Sequence, residues 1–443
     1  MPDSLPLAEF ARPYVVSWNL TYRCNLACEH CYLDAGGSPL VQSEAFADRS
    51  ELDTEQCYKV VDDIAAFAPE ALTILTGGEP LLRRDILAII RYANEKKLWV
   101  VVGTNGVSIT PTLAELLKKE GVRGLALSLD ALDAEMHDRF RAVKGAWDNT
   151  VRGARILHEA GLPFIVQTTV GRHNLDEVEK IADFAHDTMG AKVWNLYFLV
   201  QTGRGQFVSD IEPHEYDAVL QTLHALQERF RNRMIVNAKC APHYVKTVFE
   251  KDPDSPFLKA YSGGAGGCPA GTHYMGIRPN GDVTPCPYLP VFGGNLKRET
   301  LADVWEHSEP FRDMRRRGDL GGRCGACEFN TTCGGCRARA FGVTGSVLSE
   351  DPLCSYQPGA FPAAAEKLAP SIEYGAKAPT PDQPITWEPA ARERMKRIPA
   401  FVRGMVTKRV ESYCAEKGIT VITETELEEI RSRMPTPKVF GRR

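Results

Sequence analysis

The chain has 443 residues, which is enough for roughly two to four domains of ordinary size. Its 53 Lys and Arg residues nearly balance 57 Asp and Glu residues, and the formal net charge of −4 argues against a nucleic-acid partner. The first residues lack the charged and apolar regions of a signal peptide, and no stretch approaches the ~18 apolar residues that a membrane span needs. We therefore expect a cytoplasmic protein with no membrane association.

Short apolar runs alternate with amphipathic segments over the first half of the chain. The runs, which predict β-strands, cover about 15–20, 72–75, 100–105, 125–130, 164–170 and 193–200. The segments of helical period cover about 54–68, 82–96, 112–120, 149–160, 176–188 and 213–231. Six strand-helix units in series predict an α/β fold with a parallel sheet, closed as a partial (β/α)6 TIM-type barrel over residues 1–235. An open, doubly wound sheet is the structural alternative.

The composition changes after the predicted barrel. Eight of the 13 cysteines fall between Cys240 and Cys354, and in a reducing compartment clustered cysteines bind metal more often than they form disulfides. We therefore predict a metal-stabilised domain over 236–361, followed by a Pro- and Ala-rich linker over 362–386. Residues 387–443 read as a small helical domain. Its apolar positions are Ile398, Phe401, Val402, Met405, Val406, Val410, Tyr413 and Cys414, with a capping-box pattern from Thr423 to Glu426.

The first cysteine motif, Cys24-x3-Cys28-x2-Cys31, comes directly after the first predicted strand, where barrel enzymes place their chemistry. Three thiolates can hold three irons of a [4Fe–4S] cluster and leave the fourth iron open. The amino and carboxylate groups of S-adenosylmethionine (SAM) can fill that position and bring the sulfonium close enough to accept an electron. A structural zinc site short of one ligand, or three unrelated cysteines, remain the alternatives.

The stretch 21–32, TYRCNLACEHCY, closely resembles the cluster-binding motif of the radical SAM superfamily. The resemblance implies that the SAM methionyl amine is bound by the motif Gly77, Gly78, Glu79 and Pro80, whose glycines permit close backbone approach. It also implies SAM contacts for four polar residues at or near strand ends, namely Asn105, Ser128, Asp130 and Arg141. No catalytic side chain is assigned.

The later cysteines are similar to those of a SPASM domain, which carries auxiliary iron–sulfur clusters. The resemblance implies one cluster on Cys324, Cys327, Cys333 and Cys354, and another on Cys268, Cys286 and Cys336. The second set has three cysteines, one fewer than the four ligands of a fully protein-bound cluster. Three alternatives are open: Cys240 is the fourth ligand, one iron is left open for substrate, or only one auxiliary cluster assembles. The spacing also departs from the family, because two residues rather than three separate Cys333 and Cys336. A zinc ribbon is the competing interpretation.

Motifs around 237–243, 285–290, 333–340 and 350–352 resemble the radical SAM enzymes of alternative haem and nitrite-reductase haem biosynthesis. The stretches 387–403 and 416–423 look like the C-terminal module of the dark-operative protochlorophyllide reductase. We expect an iron tetrapyrrole substrate and an electron donor such as a reductase, a flavodoxin or a ferredoxin. For the carboxylates of the tetrapyrrole, the candidate partners are Arg337, Arg339 and the run 315–317. His243 and His273 are candidate ligands of its iron or donors to a propionate. The alternative is a SPASM peptide maturase, which the roughly 13 residues before the first strand disfavour because they leave no room for a precursor-binding module.

Overall fold

The computed structural model describes residues 12–37, 39–41, 43–255, 257–258, 267–368 and 385–433, the last range without 396–405, 408–409, 412 and 415–416. Most of the predicted linker and half of the apolar positions of the predicted tail helix therefore lie outside the described residues. No helix in the described part of the chain is long and apolar enough to cross a lipid bilayer.

The predicted parallel sheet is confirmed. Each strand pairs in parallel with the next along the chain, and the six predicted strands are followed by a seventh. The strands are β1 Val15–Asn19, β2 Leu72–Thr76, β3 Trp99–Thr104, β4 Leu125–Ser128, β5 Phe164–Val170, β6 Val193–Phe198 and β7 Ile235–Lys239. The seventh escapes prediction because only its first two residues are β-branched.

The sheet continues beyond β1 into the cysteine-rich region. Strand β8, Tyr274–Ile277, pairs in parallel with β1, and β9, Asp282–Thr284, and β10, Gly294–Asn295, follow in antiparallel order. Because the described strands from β10 to β7 form one sheet, the cysteine-rich region is built onto the barrel edge rather than attached by a loose tether.

Helices cover one face of the sheet, and their starts follow the capping rules. Asp53, Thr110 and Asp133 each accept a backbone N–H of the first turn that they precede. The helices of the barrel are α1 Thr54–Phe67, α2 Ile86–Glu95, α3 Pro111–Lys119, α4 Ala134–Arg141, α5 Ala146–Glu159, α6 Val178–Asp183, α7 Pro213–Arg229 and α8 Tyr244–Lys251. Helix α4 was not predicted, because its sequence AEMHDRFR carries few apolar residues.

Side chains alternate across the sheet and so define two faces. Trp194, Leu196 and Phe198 of β6 lie in the apolar core against the helices, whereas Asn195 and Tyr197 point to the opposite side. We call this opposite, concave face of the strands β1–β8 the lumen. The lumen therefore carries polar side chains, whereas the helix-covered face of the sheet is apolar.

The cysteine-rich region contains only short helices: α9 Leu301–His307, α10 Glu309–Arg315, α11 Gly322–Ala326, α12 Arg337–Thr344 and α13 Ala363–Lys367. The C-terminal part has its own apolar cluster. There β11, Thr386–Trp387, pairs in parallel with β12, Val421–Ile422, beside α14, Pro389–Met395, and α15, Glu424–Arg433. The Glu426 carboxylate accepts the backbone N–H of Thr423 at 2.9 Å, as the predicted capping box requires.

Candidate cluster and cofactor sites

The first cysteine motif forms a loop at the carboxyl end of β1. Cys24, Cys28 and Cys31 are free thiols on this loop, and each is half-buried. The backbone N–H of Leu26 points at the Cys24 sulfur at 3.4 Å, and that of Ala35 at the Cys31 sulfur at 3.3 Å. Such N–H donors stabilise a sulfur that carries negative charge, as a metal-bound thiolate does.

The Gly-Gly-Glu-Pro motif supports the backbone of this loop. The N–H of Gly78 donates to the carbonyl of Thr21 at 2.7 Å, and the N–H of Glu79 donates to the carbonyl of Arg23 at 2.7 Å. A Cβ at Gly78 would lie 2.2 Å from the Arg23 carbonyl oxygen, and one at Gly77, where φ is +139°, would lie 2.8 Å from that of Thr21. The close backbone approach predicted for the glycines is therefore made, in this structure, to the cysteine loop.

Glu79 braces the end of β3. Its buried carboxylate accepts the backbone N–H groups of Leu81, at 3.1 Å, and Asn105, at 2.8 Å, and the Thr104 hydroxyl at 2.9 Å. Burial raises the pKa of Glu79 to about 7, although the N–H donors act in the opposite direction. Pro80, which follows, is buried and begins the short turn Pro80–Leu82.

Asn105 connects the end of β3 to the same cysteine loop. Its amide donates to the Asn25 side-chain oxygen at 2.7 Å and lies 4.0 Å from the Cys24 sulfur. Its own side-chain oxygen accepts the backbone N–H of Val107 at 2.9 Å. The predicted cofactor-binding residue thus stands beside the first cluster ligand and holds the loop in place.

Asp130 and Arg141 form a buried ion pair next to Cys28. The Arg141 Nε donates to Asp130 Oδ2 at 2.7 Å, and its Nη1 lies 3.6 Å from the Cys28 sulfur. Asp130 Oδ1 accepts the N–H of Thr169 at 2.8 Å. Burial, the largest single effect, would raise the pKa of Asp130, but the charges of Arg141 and two neighbouring imidazoles together with the Thr169 N–H outweigh it, and the pKa falls to about 2. Ser128, which ends β4, is half-buried on the lumen side of the same strand.

The donor set at the loop fits an iron–sulfur cluster. The three thiols are close enough to interact electrostatically, two of the sulfurs receive N–H donors, and the third lies beside a guanidinium. Burial raises the pKa of the Cys24 thiol to about 12, whereas a metal bound there would favour the thiolate. The predicted residues around the loop are thereby brought together in one site.

The later cysteines lie in two separate groups. Cys324, Cys327, Cys333 and Cys354 line one cavity, which we call the distal cavity. The backbone N–H groups of Phe329 and Gly335 point at the Cys327 and Cys333 sulfurs, each at 3.4 Å, and Arg337 Nη2 lies 3.8 Å from the Cys324 sulfur. The cavity therefore offers four sulfur ligands with donors already directed at three of them.

The second group includes Cys240, whose role as a ligand the sequence alone does not decide. Cys268, Cys286 and Cys336 lie in one cluster with Cys240 packed against it, and the Cys336 thiol is in hydrogen-bonding contact with both Cys268 and Cys240. Cys240 has a left-handed φ of +56°, and its carbonyl accepts two N–H groups of Arg339. From its contact with Cys336 we propose Cys240 as the fourth ligand of this group.

We predict that Cys240→Ala disrupts the cluster at this second group. The site is lost or reduced to a three-iron form, so that iron per chain falls by about one to four after anaerobic reconstitution. The measurement is iron and acid-labile sulfide analysis together with EPR. Cys414→Ala, which removes a buried thiol from the C-terminal apolar cluster, is the matched control and keeps its iron. Unchanged iron and EPR in Cys240→Ala would show that the fourth ligand lies elsewhere.

The arginines proposed for substrate carboxylates have internal partners instead. Arg337 is 2% exposed and donates to the carbonyls of Val347 and Ser349 at 2.8 and 2.6 Å. Arg339 is 1% exposed and pairs with Asp351 at 3.2 Å. In the run 315–317, Arg315 donates to two backbone carbonyls, and Arg317 donates to the carbonyl of Cys268. Arg315, Arg317, Arg337 and Arg339 thus hold the cysteine-rich region together, whereas Arg316 is exposed and pairs with Asp313 and Asp319.

Neither predicted histidine faces the lumen. His273 is buried, stacks against Tyr14 with ring centroids 4.8 Å apart, and contacts the Thr272 hydroxyl. His243 lines the distal cavity. Their expected role as ligands of tetrapyrrole iron is therefore not supported by their positions.

The lumen contains functional candidates that sequence reasoning missed. Tyr32 donates to Asn19 Oδ1 at 2.6 Å, and its ring lies 4.6 Å from that of Tyr288. Tyr197 accepts from the Gln167 amide at 3.2 Å. These half-buried phenols extend from the first cysteine loop toward Cys286. Only the alternation of buried and polar residues along β5 and β6 pointed to such a surface.

Lys239, the last residue of β7, also faces the lumen. It pairs with Tyr197 of the neighbouring strand, and it follows Asn237 by two residues, so the side chains of Lys239 and Asn237 lie on the same face of the sheet. The Asn237 amide donates to the Asn195 side chain on that face at 3.0 Å. Burial lowers the pKa of Lys239, and no carboxylate in the described part of the chain forms an ion pair with it. An anionic group on a bound molecule would provide that missing partner.

Comparison with known proteins agrees with this geometry. Residues 18–185 match the model of the radical SAM superfamily, 268–336 that of an iron–sulfur cluster-binding (SPASM) domain, and 387–431 that of the proto-chlorophyllide reductase 57 kD subunit. The chain therefore belongs to the radical SAM superfamily and is a radical SAM enzyme with a SPASM domain. It binds a [4Fe–4S] cluster, SAM and auxiliary iron–sulfur clusters.

Among individual relatives, an AdoMet-dependent heme synthase of Methanosarcina barkeri is 37% identical over 78% of this chain and 97% of its own length. The mycofactocin maturase MftC of Mycolicibacterium smegmatis is 32% identical over 81% of this chain and 86% of its own length. The crystal structure of SuiB from Streptococcus suis bound to SAM has a TM-score of 0.60 at 18% identity, covering 79% of this chain and 78% of SuiB. The last likeness shows the fold alone.

Proposed function

We propose that this enzyme oxidatively decarboxylates carboxylate side chains of an iron tetrapyrrole in haem-type cofactor biosynthesis. The observation that carries the proposal is the 37% identity to an AdoMet-dependent heme synthase across nearly its whole length. The lumen supports it, because a flat macrocycle with carboxylate arms needs aromatic walls and cationic partners. Tyr32, Tyr197 and Tyr288 provide such walls, and Lys239 provides a cation.

Cys24, Cys28 and Cys31 would hold the cluster whose open iron binds SAM, and SAM bound there would supply the radical that removes a hydrogen atom from the substrate. Loss of that hydrogen and of CO₂ from a propionate arm leaves a vinyl group and one electron in excess. We propose that this electron leaves through the cysteine group that contains Cys286, toward which the lumen phenols extend. Lys239 would hold a carboxylate in this space, and Arg141 would keep Cys28 in place. An external reductase, flavodoxin or ferredoxin would supply the electron that starts the reaction.

We predict that Lys239→Met weakens binding of iron coproporphyrin. A charge-assisted hydrogen bond contributes about 1.5–3 kcal/mol, so the dissociation constant should rise about 10- to 150-fold. The measurement is an anaerobic absorption titration. Lys192→Met, which alters an exposed lysine, is the control and should bind as the wild type does. Equal affinity of Lys239→Met and wild type would remove Lys239 from the proposal.

Turnover tests the proposal itself. Anaerobic incubation of the wild type with iron coproporphyrin, SAM and dithionite should release CO₂ and vinyl-bearing product in proportion to 5′-deoxyadenosine. A wild-type enzyme that binds no iron tetrapyrrole and forms only uncoupled 5′-deoxyadenosine would contradict it. That result would favour the second candidate function, a peptide maturase. The 32% identity to a mycofactocin maturase supports this alternative.

A further inference from the structure

One residue that lines the distal cavity has a buried polar atom without a hydrogen-bond partner. His243 is 4% exposed, and it lines the cavity together with Cys324, Cys327, Cys333 and Cys354. Its Nε2 atom is buried and has no hydrogen-bond partner. A buried imidazole nitrogen left unpaired costs stability, and such a cost is tolerated where the atom serves a bound group.

The contacts of the ring indicate which nitrogen carries the proton. The Tyr216 hydroxyl lies 2.8 Å from His243 Nδ1, and no other acceptor among the described residues hydrogen-bonds to this hydroxyl. Tyr216 is fully buried, so its O–H must donate to Nδ1 or remain unsatisfied. Nδ1 is then the acceptor, and the ring hydrogen is on Nε2.

Asp351 favours the same tautomer but does not take the hydrogen bond. Its Oδ2 atom lies 3.7 Å from His243 Nε2, which is beyond hydrogen-bonding distance, and it already accepts the N–H of Cys336 at 2.7 Å and Arg339 Nη1 at 3.2 Å. The carboxylate would repel an Nε2 lone pair and attracts an Nε2–H. The donor therefore remains available to whatever occupies the cavity.

We propose that His243 donates a hydrogen bond from Nε2 to a sulfur of the auxiliary cluster held by Cys324, Cys327, Cys333 and Cys354, and so raises the reduction potential of that cluster. Reduction adds negative charge to the cluster, and a donor directed at its sulfur stabilises the reduced form more than the oxidised one. His243 is thus a tuning residue that contacts the cluster and not the substrate. The inference depends on the auxiliary cluster and not on the identity of the substrate.

The test is an EPR-monitored redox titration of the full-length, anaerobically reconstituted protein. His243→Leu should shift the midpoint potential of the auxiliary cluster to more negative values and leave the cluster that responds to SAM unchanged. His243→Gln, which keeps an N–H donor, should restore part of the shift. Tyr216→Phe should shift the potential less than His243→Leu, because the proton can then also occupy Nδ1.

His214→Leu is the matched control, since His214 is exposed at the start of α7 and should leave both potentials unchanged. An unchanged auxiliary potential in His243→Leu, with iron content intact, would overturn the proposal. Loss of iron from that site in a folded His243→Leu protein would also overturn it, because His243 would then be needed to assemble the cluster and not to tune it.

Discussion

Cys28→Ala abolishes SAM cleavage, and 5′-deoxyadenosine falls to the level formed without protein. We propose Cys28 as the central ligand of the first loop, where Arg141 Nη1 lies 3.6 Å from its sulfur. Two thiolates cannot hold a cube with three protein-ligated irons, so the iron at which SAM binds is lost with the cluster. The measurement is 5′-deoxyadenosine by liquid chromatography after anaerobic incubation with SAM and dithionite.

The control for this variant is Cys57→Ala. Cys57 is fully buried on α1, away from every cysteine group, and its loss removes a sulfur without removing a ligand. We expect Cys57→Ala to form 5′-deoxyadenosine at close to the wild-type rate. Persistent SAM cleavage in Cys28→Ala would mean that the first loop does not hold the reactive cluster.

Arg339→Met lowers the free energy of unfolding by about 3–5 kcal/mol, the usual cost of breaking a buried ion pair from one side. The variant leaves the carboxylate of Asp351, which is 0% exposed, without its cation, and it frees the carbonyl of Cys240. Both cysteine groups are affected, because Asp351 also accepts the N–H of Cys336 and borders the distal cavity. Chemical denaturation under argon, with wild type alongside, measures the loss.

Arg316→Met is the matched control for this prediction. Arg316 belongs to the same region but is half-exposed, and it pairs with Asp313 and Asp319 at the surface. Such pairs contribute about 0–1 kcal/mol, so the control should unfold nearly as the wild type does. A difference below about 1 kcal/mol between Arg339→Met and Arg316→Met would contradict the structural role given to the Arg339–Asp351 pair.

The sequence predicted what depends on local pattern. The six strands of the barrel follow from apolar runs, and the first cluster site follows from three cysteines that stand close together in the chain. Their supporting residues also lie where strand ends meet, as with Asn105 and Asp130. These features need no knowledge of long-range packing.

Features that depend on long-range packing were not predictable. Arg337 and Arg339 carry charge, which suggested a ligand, yet carbonyls and a carboxylate from distant segments surround them. Cys240 comes 28 residues before the nearest cysteine of its group, and only the fold brings it to Cys336. Lys239 was not singled out because β7 itself was not recognised.

The most direct test of the account is the EPR spectrum of the anaerobically reconstituted, dithionite-reduced protein with and without SAM. We predict a [4Fe–4S] signal that changes on addition of SAM in the wild type and is absent in Cys28→Ala, alongside auxiliary signals that SAM leaves unchanged. A spectrum indifferent to SAM, or zinc in place of iron at the first loop, would contradict the central claim that Cys24, Cys28 and Cys31 hold a cluster with one iron open to the cosubstrate.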